Sequence, residues 1–226
     1  MDFWKEFWKR YRHFVPVLVY MIFYMSVFTY VENRSGVHLH LLSSKYDSLI
    51  PFCELFVIPY FLWFAYVAFA IVFFGIIESE RRQFYLLCTN LCIGMTVFLI
   101  VSLIWPNGHT LRPAVFPRDN IFTDMVAALY RTDTSTNVFP SIHVFNSIAV
   151  HAAVMNSETL KKHPVVRVGS FILCISIIAS TVFLKQHTVL DVVGAFIMHF
   201  ATYRLVYQPK AGLQPISSKY HHNHWM

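Results

Sequence analysis

Long apolar segments recur along this chain and leave little sequence between them. A run of about 20 predominantly apolar residues can cross the hydrocarbon core of a bilayer as a helix. Six segments approach this pattern, and they are 14–31, 52–77, 84–105, 141–155, 166–184 and 187–207. The fourth is short and begins with polar residues, and the sixth contains His187, Asp191 and His199. The sequence therefore predicts an all-α, polytopic membrane protein with six transmembrane helices.

Composition agrees with an integral membrane domain. The chain is 56% hydrophobic and only 13% charged, which is about half the charged fraction of a soluble domain. A water-soluble core could not bury this much apolar surface. We expect residues 14–207 to form one membrane domain, with a cytoplasmic tail at 208–226.

The N-terminal segment, residues 1–13, alternates aromatic and basic side chains. This pattern is typical of an amphipathic helix that lies in the headgroup region. The basic flank and the apolar run after it resemble a secretory signal, but the run is too long and no small-residue cleavage site follows. We expect a retained signal anchor with an interfacial helix before it.

The basic residues predict the orientation of the chain, since cytoplasmic loops are enriched in Lys and Arg. With the N-terminus in the cytoplasm, twelve of the 18 basic residues lie on the cytoplasmic side. The other six are Arg34, Lys45, Arg112, Arg118, Arg131 and Lys185. Both termini are then cytoplasmic, and the long loops 32–51 and 106–139 face outward, with the plasma membrane as the expected location. The net charge of +6 fits attraction to anionic lipid, and no basic stretch is long enough to predict nucleic-acid binding.

Three polar clusters follow from this topology on the outer side of the membrane. They are residues 110–113, 139–143 and 180–191. Ionisable residues at membrane depth are costly and therefore usually functional or paired. Because all three clusters fall on one side, we expect them to share a site.

His187 and Asp191 are four residues apart, which places them on one face of a helix. A carboxylate that accepts from one imidazole nitrogen leaves the other free to attack or to accept a proton. The alternative is a polar pair that joins two helices. His143 follows Pro140 and Ser141 at a predicted helix start, where it is either a catalytic group or a neighbour of the cap.

Arg112 precedes Pro113, which favours an extended backbone at the arginine. A guanidinium can bind two phosphate oxygens at once. The alternative is an ordinary loop arginine that faces water.

Together the clusters resemble the type 2 phosphatidic acid phosphatase superfamily. That family has an Arg-Pro pair preceded by Lys, a Pro-Ser-Gly-His segment, and a Ser-Arg segment followed by His and Asp four residues apart. The corresponding residues here are Arg112-Pro113, Pro140-Ser141-Ile142-His143, Ser180-Thr181, His187 and Asp191. The resemblance covers roughly residues 100–195 and implies a six-helix core.

This resemblance implies a role for each residue. His187 is the expected nucleophile, Asp191 orients it, and His143 protonates the leaving oxygen and then activates the acceptor. Arg112 and Ser141 are expected to bind the phosphoryl oxygens. The scheme uses neither a metal ion nor another cofactor.

The chain departs from the family pattern at three positions. Trp105 replaces the Lys, Ile142 replaces the Gly and Thr181 replaces the second Arg. Two phosphate-binding cations are therefore missing. We expect Lys185 to replace them first and Arg118 second, while the alternative for Lys185 is an interfacial anchor.

The leading functional expectation is a metal-independent phosphatase that hydrolyses a lipid phosphomonoester. Loss of the Ser-Arg pair is similar to the branch with inositol phosphorylceramide and sphingomyelin synthases, which implies a phosphotransferase as the alternative. A third interpretation is a lipid-binding membrane protein without enzymatic activity. The expected partners are a lipid phosphate or phospholipid and the bilayer, and a homo-oligomer is compatible with the sequence.

Overall fold

The computed structural model describes residues 2–208, with side chains from Trp4 onward, and it is predominantly helical. Its helices are α1 (Asp2–Tyr11), α2 (Val15–Glu32), α3 (Val57–Ile76), α4 (Arg81–Ile104), α5 (Ile121–Thr132), α6 (Ile142–Asn156), α7 (Pro164–Phe183) and α8 (Val189–Tyr207). Two-residue strands β1 (His40–Leu41) and β2 (Asn107–Gly108) pair in parallel, and they join the segment after α2 to the segment after α4. The predicted tail at 208–226 lies outside the described residues, apart from Gln208.

Five helical segments are long and apolar enough to cross a membrane. They are Trp4–Glu32, Glu54–Ile76, Arg81–Ile104, Pro164–Phe183 and Val189–Tyr207. These segments correspond to the first, second, third, fifth and sixth predicted spans. The prediction of an α-helical protein with several membrane-type helices is therefore confirmed.

Helix α6 corresponds to the fourth predicted span, and it differs from the other five. Its 15 residues rise about 22 Å at about 1.5 Å per residue, which is less than the roughly 30 Å of a hydrocarbon core. It packs against α3, α4, α7 and α8 and lies at the centre of the bundle. Because α6 is shorter than a usual span, the sixth crossing stays a prediction.

Close packing of α4 against α6 depends on Gly94. A Cβ added at Gly94 would lie 2.0 Å from the ring of Phe145, which is fully buried on α6. Only glycine leaves room for the ring at this approach. This contact holds α6, and with it His143, against the largest helix of the bundle.

The N-terminal helix α1 continues through a short 3-10 turn, Arg12–Phe14, into α2. The Nε2 of His13 donates to the carbonyl of Gly75, 2.9 Å away, at the end of α3. The turn between α1 and α2 is thereby tied to the bundle, and the interfacial position of α1 stays a prediction.

At the opposite end from the polar clusters, Glu78 joins the α3–α4 turn to the segment after α6. Its carboxylate accepts hydrogen bonds from the hydroxyls of Ser157, Thr159 and Ser79. Burial acts to raise the pKa of Glu78, but these hydrogen bonds outweigh burial and lower it. That end of the bundle is therefore fixed by a charged carboxylate.

Candidate active site

His143 and His187 lie close together at one end of the bundle. Their ring centroids are 5.7 Å apart, and each residue is only 7% exposed. His143 lies in the first turn of α6, and His187 lies in the turn just before α8. A backbone hydrogen bond from Ser141 to the carbonyl of Asp191, 3.2 Å, joins the starts of these two helices. The structure thus brings the second and third sequence clusters together.

The turn that carries His187 follows directly from the end of α7. Lys185 has a positive φ of 53°, and the amides of Lys185 and Gln186 donate to the carbonyls of Val182 and Thr181. This pattern is a Schellman motif, which ends a helix with one residue in the left-handed region. The chain then reverses, so that His187 points back toward the starts of α6 and α8.

Asp191 both caps α8 and faces His187. Its Oδ2 accepts from the amide of Thr188 at 2.7 Å, and the Thr188 hydroxyl accepts from the Asp191 amide. The same Oδ2 lies 3.5 Å from Nδ1 of His187, which has no hydrogen-bond partner in the described chain. The carboxylate is fully buried beside this nitrogen. Because Nδ1 faces Asp191, Nε2 is the nitrogen left for chemistry.

Two aromatic rings enclose His143. The ring centroids of Tyr60 and Trp63 lie 4.6 and 4.4 Å from that of His143. Ser141 is fully buried and accepts from the amide of Val144 at 3.4 Å, so its hydroxyl caps α6. The sequence identified His143 and Ser141 but missed both aromatic residues, because apolar spans are rich in such rings throughout.

Beside the histidines, a hydrogen-bond network joins Tyr60, which packs on His143, to Gln186, the residue before His187. The sequence analysis missed these residues. The hydroxyl of Tyr60 donates to Oδ2 of Asp133, which also accepts from Nε2 of Gln186 at 3.1 Å. Gln186 is 2% exposed and immediately precedes His187. The only available signal for Gln186 was its position beside His187.

The guanidinium of Arg112 forms hydrogen bonds with this network and does not occupy the space between the two histidine rings. Its Nη2 donates to Oε1 of Gln186 and to the carbonyl of Asp133, both at 2.5 Å, and its Nη1 donates to the carbonyl of Tyr130 at 3.1 Å. The guanidinium also stacks over the Tyr130 ring at 4.2 Å. Burial lowers the pKa of Arg112, although the nearby Asp133 carboxylate opposes the shift. The predicted phosphate-binding arginine is thus occupied by protein acceptors.

The two proposed replacement cations also bind protein groups. Nζ of Lys185 donates to the carbonyls of Asp47, at 2.8 Å, and Ile50, at 2.5 Å. Burial lowers the pKa of this ammonium. Arg118 pairs with both carboxylate oxygens of Glu54, at 2.6 and 2.5 Å. In the structure, each of these two cations is therefore paired with protein groups of the loops, and the interfacial anchor expected as the alternative for Lys185 stays a prediction.

Asp47 adds a second cap at the start of α8. Its Oδ1 accepts from the amide of Val189 at 2.8 Å, and its Oδ2 accepts from the amide of Ser44 at 2.6 Å. The 44–50 loop therefore rests on the turn that carries His187 through both Asp47 and Lys185.

His109, in the segment between α4 and α5, supports the same turn. Its Nε2 donates to the carbonyl of Gln186 at 2.8 Å, and its Nδ1 accepts from the amide of Leu111 at 3.2 Å. These two bonds require the neutral imidazole. Burial lowers the pKa of His109 below its ordinary value of 6.5. The sequence analysis missed this residue, since its partners are backbone groups distant in sequence.

A cavity of about 710 Å³ extends from the histidines into the bundle between α2 and α3, with α4 behind it. Its walls include the apolar side chains Tyr24, Phe28, Phe64, Val67, Leu91, Met95 and Phe98. Its polar end is lined by Glu32, Asp133, His143, Asn146, Gln186 and His187. Within residues 2–208, no three His, Cys, Asp or Glu side chains are grouped so that they could hold a metal ion. His143 and His187 lie at the polar end of this largely apolar cavity.

Comparisons of the chain with protein-family models, with curated proteins and with solved structures give no match. The geometry of the histidine pair and its cavity therefore carries the functional interpretation.

Proposed function

We propose that this protein is an integral membrane lipid phosphatase that acts through a phosphohistidine intermediate. The observation that carries the proposal is the pair of buried histidines at the polar end of an apolar cavity, one of them beside the Asp191 carboxylate. Binding sites for lipids need apolar walls and a few convergent polar groups. The resemblance of the three sequence clusters to the type 2 phosphatidic acid phosphatases supports the same chemistry.

In the proposed reaction the phosphoryl group lies between the two imidazoles. Nε2 of His187 attacks phosphorus, the bond from phosphorus to the lipid oxygen breaks, and that oxygen takes a proton from His143. His143 then removes a proton from water as the water oxygen attacks the phosphohistidine. The bond between phosphorus and His187 breaks, and inorganic phosphate leaves. Asp191 stabilises the positive charge that the His187 imidazole carries in the phosphohistidine, and this charge is lost when the bond to phosphorus breaks.

In this proposal, the starts of two helices stabilise the negative charge that develops on the phosphoryl oxygens, and no lysine or arginine side chain is needed for it. His143 lies in the first turn of α6 and His187 lies just before α8, so the positive ends of both helix dipoles face the site. Anions are commonly bound at such helix starts. This arrangement supports phosphoryl chemistry although Arg112, Lys185 and Arg118 are occupied.

We place the site at the outer face of the plasma membrane, with both termini in the cytoplasm. In this arrangement α6 completes a six-helix membrane core, and α1 lies in the cytoplasmic headgroup layer. The distribution of basic residues along the sequence supports this orientation.

The second candidate function is a lipid phosphotransferase, in which an alcohol replaces water as the acceptor. The size of the cavity favours this candidate, because about 710 Å³ lies well within the range of sites that enclose drug-sized ligands. A lipid alcohol can approach the phosphohistidine along the apolar walls, which provide few hydrogen-bonding groups for water. The histidine chemistry is the same for both acceptors.

The test uses the full-length protein purified in detergent, with a chelator present. Wild type and His187→Ala are given lipid phosphomonoesters and phospholipids, with and without an acceptor alcohol, and phosphate and new lipids are measured. We expect phosphate release by wild type, none by His187→Ala, and wild-type rates for His38→Ala, an exposed outer-loop histidine. Product formation only with an acceptor would establish the transferase. Equal activity of wild type and His187→Ala would overturn both candidates.

A further inference from the structure

The polar end of the cavity is acidic. Glu32 and Asp133 both line it, and no Lys or Arg does so among the side chains described from Trp4 to Gln208. Arg112 contacts the backbone carbonyl of Asp133 and not its carboxylate. A phosphate held between the histidines would therefore share the cavity with two carboxylates and with no lysine or arginine among the described residues.

Glu32 is the less compensated of the two carboxylates. It ends α2, and its oxygens accept from the hydroxyl of Thr134, at 2.5 Å, and from Nδ2 of Asn137, at 2.9 Å. Within the described part of the chain, no Lys, Arg or His lies at ion-pair distance from it. Neutral donors orient this carboxylate but leave its charge available to a ligand.

Glu32 and the catalytic pair are connected through adjoining residues. Thr134 follows Asp133, whose Oδ2 accepts from Tyr60 and from Gln186. Tyr60 packs on His143, and Gln186 precedes His187. The carboxylate of Glu32 therefore belongs to the same wall as the groups that hold both histidines.

Two further side chains in the cavity lack hydrogen-bond partners in the described chain. Oδ1 of Asn146 and Nδ1 of His143 are both unpaired, and these residues are 2% and 7% exposed. Both lie on α6, three residues apart, and both line the cavity. Buried polar atoms are nearly always hydrogen-bonded, so these atoms indicate a place where a polar ligand binds.

Charge complementarity identifies the kind of ligand. A phosphate beside two carboxylates is repelled, and the repulsion is stronger at low dielectric than in water. An ammonium group carried by the same lipid would offset that repulsion and would pair with the Glu32 carboxylate, which in the described chain accepts hydrogen bonds from neutral donors alone. An anionic lipid without an amine has no such compensation.

Resting on the proposed phosphoryl-transfer function, we propose that the substrate is a zwitterionic lipid. Its phosphate lies between His143 and His187, and its ammonium group binds Glu32. Two kinds of lipid carry both a phosphate and an ammonium group. One is a phosphomonoester of an amino lipid, such as a sphingoid base phosphate, and the other is a phosphodiester with an ammonium headgroup, such as phosphatidylethanolamine.

Binding is tested without catalysis, on full-length His187→Ala protein in detergent. The probes are dihexanoyl phosphatidylethanolamine, a short-chain sphingoid base phosphate, dihexanoyl phosphatidylglycerol and dihexanoyl phosphatidic acid, and the readout is the shift in Tm with lipid concentration. We expect the two zwitterionic lipids to bind at least tenfold more tightly than the two anionic ones. Adding Glu32→Gln should weaken binding of the zwitterionic lipids about tenfold, as expected for loss of a charged hydrogen bond.

Two variants control for effects on folding. Glu32→Asp keeps the charge and should keep the preference, and Glu158→Gln removes an exposed carboxylate that pairs with Lys161 and should bind as the parent does. Equal binding of zwitterionic and anionic lipids, or a preference that Glu32→Gln leaves unchanged, would overturn the proposal. If Glu32→Gln does not fold, the proposal is still tested by whether the protein that retains Glu32 binds zwitterionic lipids more tightly than anionic ones.

Turnover by the His187-containing protein separates this inference from the proposed function. Preferential binding of zwitterionic lipids without turnover of any lipid would support the headgroup site at Glu32 and reject the proposed enzyme. Turnover without preferential binding of zwitterionic lipids would support the enzyme and reject the headgroup site. Turnover of the sphingoid base phosphate alone, or of phosphatidylethanolamine alone, would show which source supplies the ammonium and phosphate groups.

Discussion

Nη2 of Arg112 lies 2.5 Å from Oε1 of Gln186, the residue that immediately precedes His187. The guanidinium therefore holds the turn that carries the nucleophile of the proposed reaction. It does so from outside the cavity, because Arg112 is not among the described residues that line it. A positioning role and a phosphate-binding role for this arginine lead to different kinetics.

We expect Arg112→Lys to lower kcat by about a hundredfold with little change in KM, because lysine cannot donate to Gln186, Asp133 and Tyr130 in one plane. Steady-state kinetics on a lipid phosphate measure both constants. Arg131→Lys, at the exposed end of α5, is the control and should behave as wild type. A large rise in KM for Arg112→Lys would instead indicate direct phosphate binding.

Lys185→Met tests whether the ammonium holds the 44–50 loop or binds phosphate. Because Nζ donates to the carbonyls of Asp47 and Ile50, we expect the free energy of unfolding to fall by about 1–3 kcal/mol, with turnover reduced less than tenfold. Thermal unfolding and limited proteolysis of the 44–50 loop report the change, and Lys45→Met, at an exposed position, is the control. A hundredfold loss of turnover at unchanged stability would restore Lys185 as a phosphate ligand.

The Asp191→Asn variant distinguishes two roles of Asp191, which caps α8 and places a negative charge beside His187. The asparagine oxygen can still accept from the amide of Thr188, so we expect nearly unchanged Tm. Loss of the negative charge 3.5 Å from Nδ1 should lower kcat/KM on the order of a thousandfold, since the imidazole loses both its orientation and its counter-charge. Turnover within tenfold of wild type would mean that Asp191 serves α8 alone.

His109 predicts a dependence of stability on pH. Its pKa in the folded protein lies below 6.5 because of burial, so the unfolded chain binds more protons than the folded one as the pH falls below that value. The stabilisation contributed by neutral His109 is complete above the unfolded pKa and is lost progressively as the pH falls from that value through the lower folded pKa. We therefore expect the difference in Tm between wild type and His109→Gln to shrink from pH 8 to pH 5.

The exposed His38→Gln variant supplies the reference for this titration. Its Tm should follow that of wild type in parallel across the same pH range. A constant difference between wild type and His109→Gln would show that His109 does not titrate differently in the two states.

The sequence alone determined the class of fold, because the length and apolar character of a helix are local properties. Five of the six apolar runs became long apolar helices. The four-residue spacing of His187 and Asp191 is equally local, and these side chains do lie near each other, although His187 lies in the turn before α8 and not on the helix as predicted. The predicted topology put all three clusters on one side of the membrane, and His143 and His187 do share one end of the bundle.

The partners of the cations were decided by the tertiary structure. Arg112 binds a residue 74 positions away, Lys185 binds backbone 138 and 135 positions away, and Arg118 binds a carboxylate 64 positions away. In the sequence, the charge of these three residues and their positions relative to the motifs predicted that each of them binds phosphate. Buried carbonyls and carboxylates need partners wherever the loops fold over the helices, and only the packed loops show which acceptors lie within reach of each cation.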